Sequence, residues 1–144
     1  MPTPLQRRVL SIVHNPRIPL AGDRQLSAAL GWNDPAMLAE RYAADVRECS
    51  YGLVEYQVVE RIDVDGFPVK VDGFAYTPET YWSNWQRRGG WHKPDGVDYL
   101  RLVQEFDVIA RIDSGAIDEV WLFGGPYFGY YESIMGGPGA ISCN

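Results

Sequence analysis

Ile117-Asp118-Glu119-Val120-Trp121-Leu122-Phe123-Gly124-Gly125-Pro126-Tyr127-Phe128-Gly129-Tyr130-Tyr131-Glu132-Ser133 decides the fold. The apolar run 120–123 reads as a buried strand. It stops at Gly124-Gly125-Pro126, which cannot continue a central strand. A loop crowded with aromatics follows and ends in a carboxylate and a hydroxyl. In α/β folds, ligands bind just beyond the carboxyl ends of parallel strands. The loop 124–133 is therefore the candidate site.

Upstream of this strand, Leu100, Val103, Phe106, Ile109 and Ile112 form a stripe that predicts one helix over 97–112, ended at Ser114-Gly115. A helix feeding directly into a short buried strand is an ordinary α-to-β connection. Residues 9–14 read as a first strand, ended by Asn15-Pro16. Residues 15–33 read as a long loop with a short helix over 25–30, stopped at Gly31. Asp34 and Pro35 are a good N-cap and first residue for a second helix. Leu38, Tyr42 and Val46 form its apolar face, with Ala39, Ala43 and Cys49 beside it. Residues 53–64 alternate as a half-exposed strand, with Val54, Tyr56, Val58, Ile62 and Val64 on one face. Asp65-Gly66 signals a hairpin in which 67–76 pairs back, with Pro68 placing it at an edge or making it irregular. Thr77 caps a helix bearing Tyr81, Trp82 and Trp85, closed by Arg87-Arg88-Gly89-Gly90.

The expected fold is a single α/β domain over residues 1–144. It has a partly parallel sheet with flanking helices and an antiparallel hairpin extension. The last residues, from Ile134, complete no element, so the domain is expected to be incomplete or finished by another chain.

The 144 residues carry a net charge of −6, which argues against non-specific nucleic-acid binding. Aromatics make up 13%, including five Trp and nine Tyr, enough for either a dense core or a stacking surface. Cys49 and Cys143 show no metal spacing. Pairing between them is open, and buried free thiols are the expectation for a cytosolic chain. No apolar run spans a membrane, and no signal-peptide pattern opens the chain. The compartment stays open.

The run 118–133, with Gly31-Trp32-Asn33-Asp34-Pro35 and Asp65-Gly66-Phe67-Pro68, resembles a family of largely uncharacterised bacterial proteins. Its members are longer, are often exported, and continue into a segment containing histidine and glutamate. The resemblance covers most of the chain and implies that a C-terminal half is missing. It attaches no activity to these motifs, so no residue role is carried over.

In the loop, Glu132 is the candidate acid or base. A carboxylate among aromatics loses solvation, which raises its pKa toward catalytic use. Tyr127, Phe128, Tyr130 and Tyr131 would form a stacking wall, with Tyr127, Tyr130 and Ser133 positioning the substrate. The competing reading has the aromatics packing over the sheet while Glu132 caps an element. His14 and Asn15 follow the first strand, and Asn15 is a further candidate for binding the substrate. If that strand runs parallel to 119–123, His14 lies near Glu132 and would share its proton or a metal. The competing reading is a hydrogen-bonded structural histidine. His14 and His92 share no His-x-x-x-His spacing, so no metal is expected. No cofactor is implied either, because dinucleotide, Walker and Gly-x-Ser-x-Gly motifs are absent. Of the scattered acids, Asp34 caps, Asp65 turns and Asp118-Glu119 should lie at the end opposite the site. Tyr81, Trp82, Trp85 and Trp91 read as core rather than as a sugar platform.

The expected function is a hydrolase-like domain acting on a carbohydrate or peptide. Glu132 would be its acid or base, with His14 assisting. The alternative is a non-enzymatic binding or structural domain that uses the same aromatic loop as an interface.

Overall fold

The central strand β1 (Leu5–His14) is longer than its apolar run. All six residues from Val9 onward are buried, as expected for a strand covered on both faces. Its polar first half is recruited by pairing, with Leu5 opposite Val54 and Arg7 opposite Tyr56. This is a computed structural model that describes residues 2–130, 133–134 and 142–143.

After β1, β2 (Arg17–Ile18) and β3 (Arg24–Gln25) form a small antiparallel ribbon around a 3-10 turn, Pro19–Ala21. The expected short helix follows as α1 (Leu26–Ala29). In α2 (Pro35–Cys49) the capping is as read. Asp34 Oδ1 accepts from the backbone N–H of Ala36 at 2.8 Å and Met37 at 3.2 Å. The apolar face is less covered than expected: Pro35 and Ala39 are buried, whereas Leu38 and Tyr42 are exposed. Cys49 is a free, exposed thiol, not a buried one. The buried residues of α2 lie in its first turns, and Cys49 lies in its last.

The strand β4 (Val54–Val64) pairs parallel with β1, with a register shift: Val9 faces Val58, yet Leu10 faces Glu60. One extra residue flips every later side chain to the other face. Tyr56 and Val58 therefore share one face with Arg7 and Val9, while Ile62 and Val64 share the other with Ile12 and His14. The single alternating face expected over 54–64 is divided between two layers.

Residues 67–76 do not pair back onto β4. Among the described residues, β4 pairs only with β1. Pro68 lacks a ladder donor, and the Asp65 carboxylate accepts from Arg17 N–H at 2.7 Å. The segment crosses instead to residues 96–98, through Val71 N–H to Gly96 O, Asp98 N–H to Val69 O and an isolated bridge between Lys70 and Val97. The antiparallel pairing of the fold lies in β2–β3 and in β6 (Ser133–Ile134) with β7 (Ser142–Cys143).

Thr77 caps α3 (Pro78–Arg87) as expected. The single helix expected over 97–112 is two, α4 (Tyr99–Glu105) and α5 (Val108–Asp113). Asp107 adopts φ 50° and interrupts them, a conformation Asp tolerates better than most residues. The break leaves Phe106 packed on the sheet and the Phe106 carbonyl accepting from Arg111 Nε at 2.9 Å.

The last sheet strand, β5 (Glu119–Phe123), lies parallel to β1, from Val9 opposite Glu119 to Val13 opposite Phe123. The sheet order is β4–β1–β5. One parallel crossover runs from β1 to β4 and the next runs back in the opposite direction from β4 to β5, and right-handed crossovers then put their helices on opposite faces. One face carries Tyr42 of α2 against Tyr56 and Trp121. On the other, Leu10, Ile12 and Ile117 pack with Ile62, Val64, Phe106, Val120 and Leu122. The chain is an α/β fold. No described helix is long and apolar enough to cross a membrane.

At the amino ends of β1 and β5, Arg8 grips Asp118 with two side-chain hydrogen bonds of 3.0 Å, and its backbone N–H adds a third of 2.8 Å. These bonds hold the Asp118 carboxyl down at about 2, against an ordinary 3.8. A carboxyl depressed on folding stabilises above its unfolded pKa, and that contribution is lost as pH falls through the folded value. Wild type is therefore expected to be more stable than Asp118→Asn at pH 5, with the difference vanishing toward pH 2. Urea midpoints at the two pH values measure this; equal midpoints at pH 5 would contradict it.

Candidate functional site

The chain leaves β1 toward β4 and returns on the other side to β5. The strand order thus reverses between β1 and β5, and the crevice beyond their carboxyl ends is where α/β sheets bind ligands. His14 and Asn15 leave β1 there, and Gly124-Gly125 leaves β5. The parallel pairing that the His14 reading required is present.

His14 is 5% exposed. Burial pushes its pKa down to about 4, so the ring is neutral at pH 7. Its Nδ1 lies 2.6 Å from the hydroxyl of Tyr130, and Phe106 meets its ring edge-on. Burial pushes the Tyr130 phenol upward, so that hydroxyl keeps its proton. A buried hydroxyl needs an acceptor, and among the described residues that acceptor is Nδ1. The neutral imidazole then carries its own proton on Nε2, which has no described partner. In this tautomer His14 is a hydrogen-bond donor rather than a base.

The Asn15 amide is already engaged. Its Nδ2 donates to Ser27 Oγ at 2.9 Å, and its Oδ1 accepts from Ser27 N–H at 2.9 Å. This pair ties the end of β1 to α1. Between His14, Asn15, Ser27, Trp32, Gly124 and Gly125 lies a cavity of about 20 Å³. Leu26 and Pro35 complete its lining, which is mostly apolar.

The 124–130 loop is held from several sides. A Cβ at Gly124 would come within 2.5 Å of Phe128 and 2.7 Å of Tyr130; one at Gly125 would meet Leu26 at 3.0 Å. The glycines let aromatic rings close over the backbone. Tyr81 donates its hydroxyl to Pro126 O at 3.0 Å, and Val97 N–H donates to Gly129 O at 3.0 Å. Lys70, 0% exposed, donates to Tyr127 O at 2.6 Å and pairs with Asp95 at 2.5 Å. Phe128 is core, packed with Tyr81, Tyr76, Leu26, Ile18 and Ala21. Tyr127, at φ 61° and 40% exposed, stacks flat on Trp91 with ring centroids 3.9 Å apart.

His14, Asn15 and Tyr130 therefore meet at the strand ends, while Tyr127 stands at the Trp91 side of the loop. Ser133 falls in β6, opposite Cys143. Glu132 lies outside the described residues. Asp118 sits at the far end of the sheet, as read. Tyr81 is fully buried and Trp82 and Trp91 pack against it in the core. His92 contacts Asp72 at 2.7 Å and stacks on Phe74. Among the described residues, no three His, Cys, Asp or Glu side chains are grouped to hold a metal. Lys70 was not legible from sequence: one lysine in a mixed loop looks solvated, and only the carbonyl and carboxylate brought to it from residues 127 and 95 make it interior.

Comparison of the chain with family models, curated proteins and solved structures returns no match in any of the three.

A histidine buried as the neutral ring favours the folded state above its unfolded pKa. The advantage is lost as pH falls from 6.5, the ordinary value, toward about 4. Over that window, wild-type stability relative to His14→Gln should fall by about 3 kcal/mol. Chemical denaturation of both proteins from pH 7.5 to 4 tests this; a flat difference would contradict a buried neutral ring. Lys70→Met leaves Asp95 and the Tyr127 carbonyl without their cation, and should cost about 3 kcal/mol. A urea midpoint unchanged from wild type would show that the ion pair does not anchor the loop.

Proposed function

We propose that the chain is a hydrolase-like α/β domain acting on a carbohydrate or peptide, with its chemistry at the carboxyl ends of β1 and β5. The observation that carries this reading is the neutral His14, bonded through Nδ1 to Tyr130 beside a small cavity at the strand-order reversal. In the mechanism, Glu132 acts as base, taking the proton of the attacking water, or as acid, giving its own proton to the leaving group as the scissile bond breaks. His14 donates from Nε2 to the oxygen on which charge develops, a role suited to a neutral imidazole. Tyr130 fixes the His14 tautomer. Tyr127 offers an exposed ring for stacking against a sugar or an apolar side chain. Ser133 would bond the substrate, and Asn15 contributes by holding α1 against the site.

A panel of chromogenic glycosides and fluorogenic peptides tests the reading. On whichever substrate turns over, Glu132→Gln and His14→Gln should each lower kcat by about 100-fold or more. Tyr127→Ala should chiefly raise KM. Turnover of no substrate, or full activity in Glu132→Gln, would overturn the proposal.

One observation favours the second reading, a non-enzymatic docking domain. Met37, Leu38 and Tyr42 on α2 and Val58 and Val59 on β4 are large, apolar and exposed. Sedimentation showing a concentration-dependent assembly, in a protein inert toward the panel, would support it.

A further inference from the structure

A second cavity lies at the other end of the sheet. It occupies about 460 Å³ between the second half of α2 and the amino ends of β1 and β4, within the range that small-molecule sites occupy. Its origin is local. In the first half of α2, Ala39 is buried. One turn further on, the lining residues are Ala43 and Ala44, whose small side chains leave the groove unfilled.

Three arginines line this groove in a chain of net charge −6: Arg7, Arg8 and Arg47. Two are neutralised internally. Arg8 grips Asp118, and Arg47 Nε pairs with Glu55, a lining carboxylate, at 3.1 Å. The Arg7 side chain makes no hydrogen bond or ion pair among the described residues. Its charge nevertheless helps lower the pKa of Asp118 and opposes the rise of the Tyr56 hydroxyl. A planar guanidinium with five donors, on a groove wall with no described hydrogen-bond partner, is suited to take an oxyanion in two-point contact.

We propose that this groove binds a small organic oxyanion, a phosphate ester or a carboxylate, with Arg7 as its principal contact. Arg8 and Arg47 frame the site with their internal carboxylate partners retained. The remainder of the ligand lies over Ala43 and Ala44. The site is remote from His14 and does not depend on the hydrolytic reading.

The test is a titration of the labelled chain with phenyl phosphate and, separately, benzoate, at matched ionic strength in sodium chloride. Amide and Arg Nε shifts are followed by NMR. Saturable shifts clustered at residues 6–8, 43–47 and 55–57 are expected. The preferred probe identifies the oxyanion as phosphate or carboxylate. Arg7→Ala should weaken binding by about tenfold or more, the usual consequence of losing a hydrogen bond to a charged group. Ala44→Leu, which fills the groove without altering charge, should weaken it as well, and Arg101→Ala on the α4 surface should leave it unchanged. Shifts that grow linearly without saturation, or binding equal to wild type in Arg7→Ala, would overturn the proposal.

Discussion

The parallel pairing of β5 with β1 is the constraint on which the rest of the structure depends. Residues 9–13 and 119–123 lie more than a hundred positions apart, yet their ladder places the ends of both strands side by side. Without that ladder, the loop after Phe123 has no fixed relation to His14. With it, one strand delivers an imidazole, the other delivers a glycine pair, and Tyr130 reaches back to bond the imidazole. The Arg8–Asp118 contact at the opposite end reinforces the same register. An arginine fork on a carboxylate is directional, so it opposes a one-residue slip that would turn every inward side chain outward.

The candidate site is built with more support than a surface loop requires. Three carbonyls of the loop, those of Pro126, Tyr127 and Gly129, are each held by a different partner: a phenol, a buried ammonium and a backbone amide. Burying a lysine is expensive unless it is paired and hydrogen-bonded, and Lys70 has both a carboxylate and a carbonyl. The aromatic content of the chain is thus divided. Phe128, Tyr81 and Tyr76 form interior packing that supports the loop. Tyr127 presents its ring outward, and Tyr130 turns its hydroxyl to His14. A single surplus of aromatics serves both core and site.

Much of the architecture was legible in the sequence where one residue type has one physical use. Asp34-Pro35 and Thr77 mark their helices through unsatisfied N–H groups, and Val120 to Phe123 followed by two glycines marks the buried strand end. Legibility failed where tertiary partners decide. The alternation over 54–64 fits a strand with one apolar face, and nothing in it reveals the extra residue that sends Tyr56 and Ile62 to different layers. The stripe from Leu100 to Ile112 is helical in period, but Asp107 in a left-handed conformation breaks it where Phe106 turns into the sheet. Asp65-Gly66 has hairpin chemistry, yet Asp65 bonds to Arg17 and the following segment finds its partners near Gly96. At the candidate site, the place of His14 and Asn15 at the end of β1 followed from strand direction, whereas the bond between His14 and Tyr130 did not. The buried Lys70 did not, because its partners come from residues 95 and 127.

The most direct test of the central pairing is a set of cross-strand nuclear Overhauser contacts in the isotope-labelled chain. A parallel ladder in this register predicts amide-to-α contacts linking residues 10–13 with 120–123, alongside those linking β1 with β4. If 119–123 instead shows contacts of an antiparallel pair, or contacts β4 and not β1, the strand ends diverge. The site at His14 would then have no structural basis.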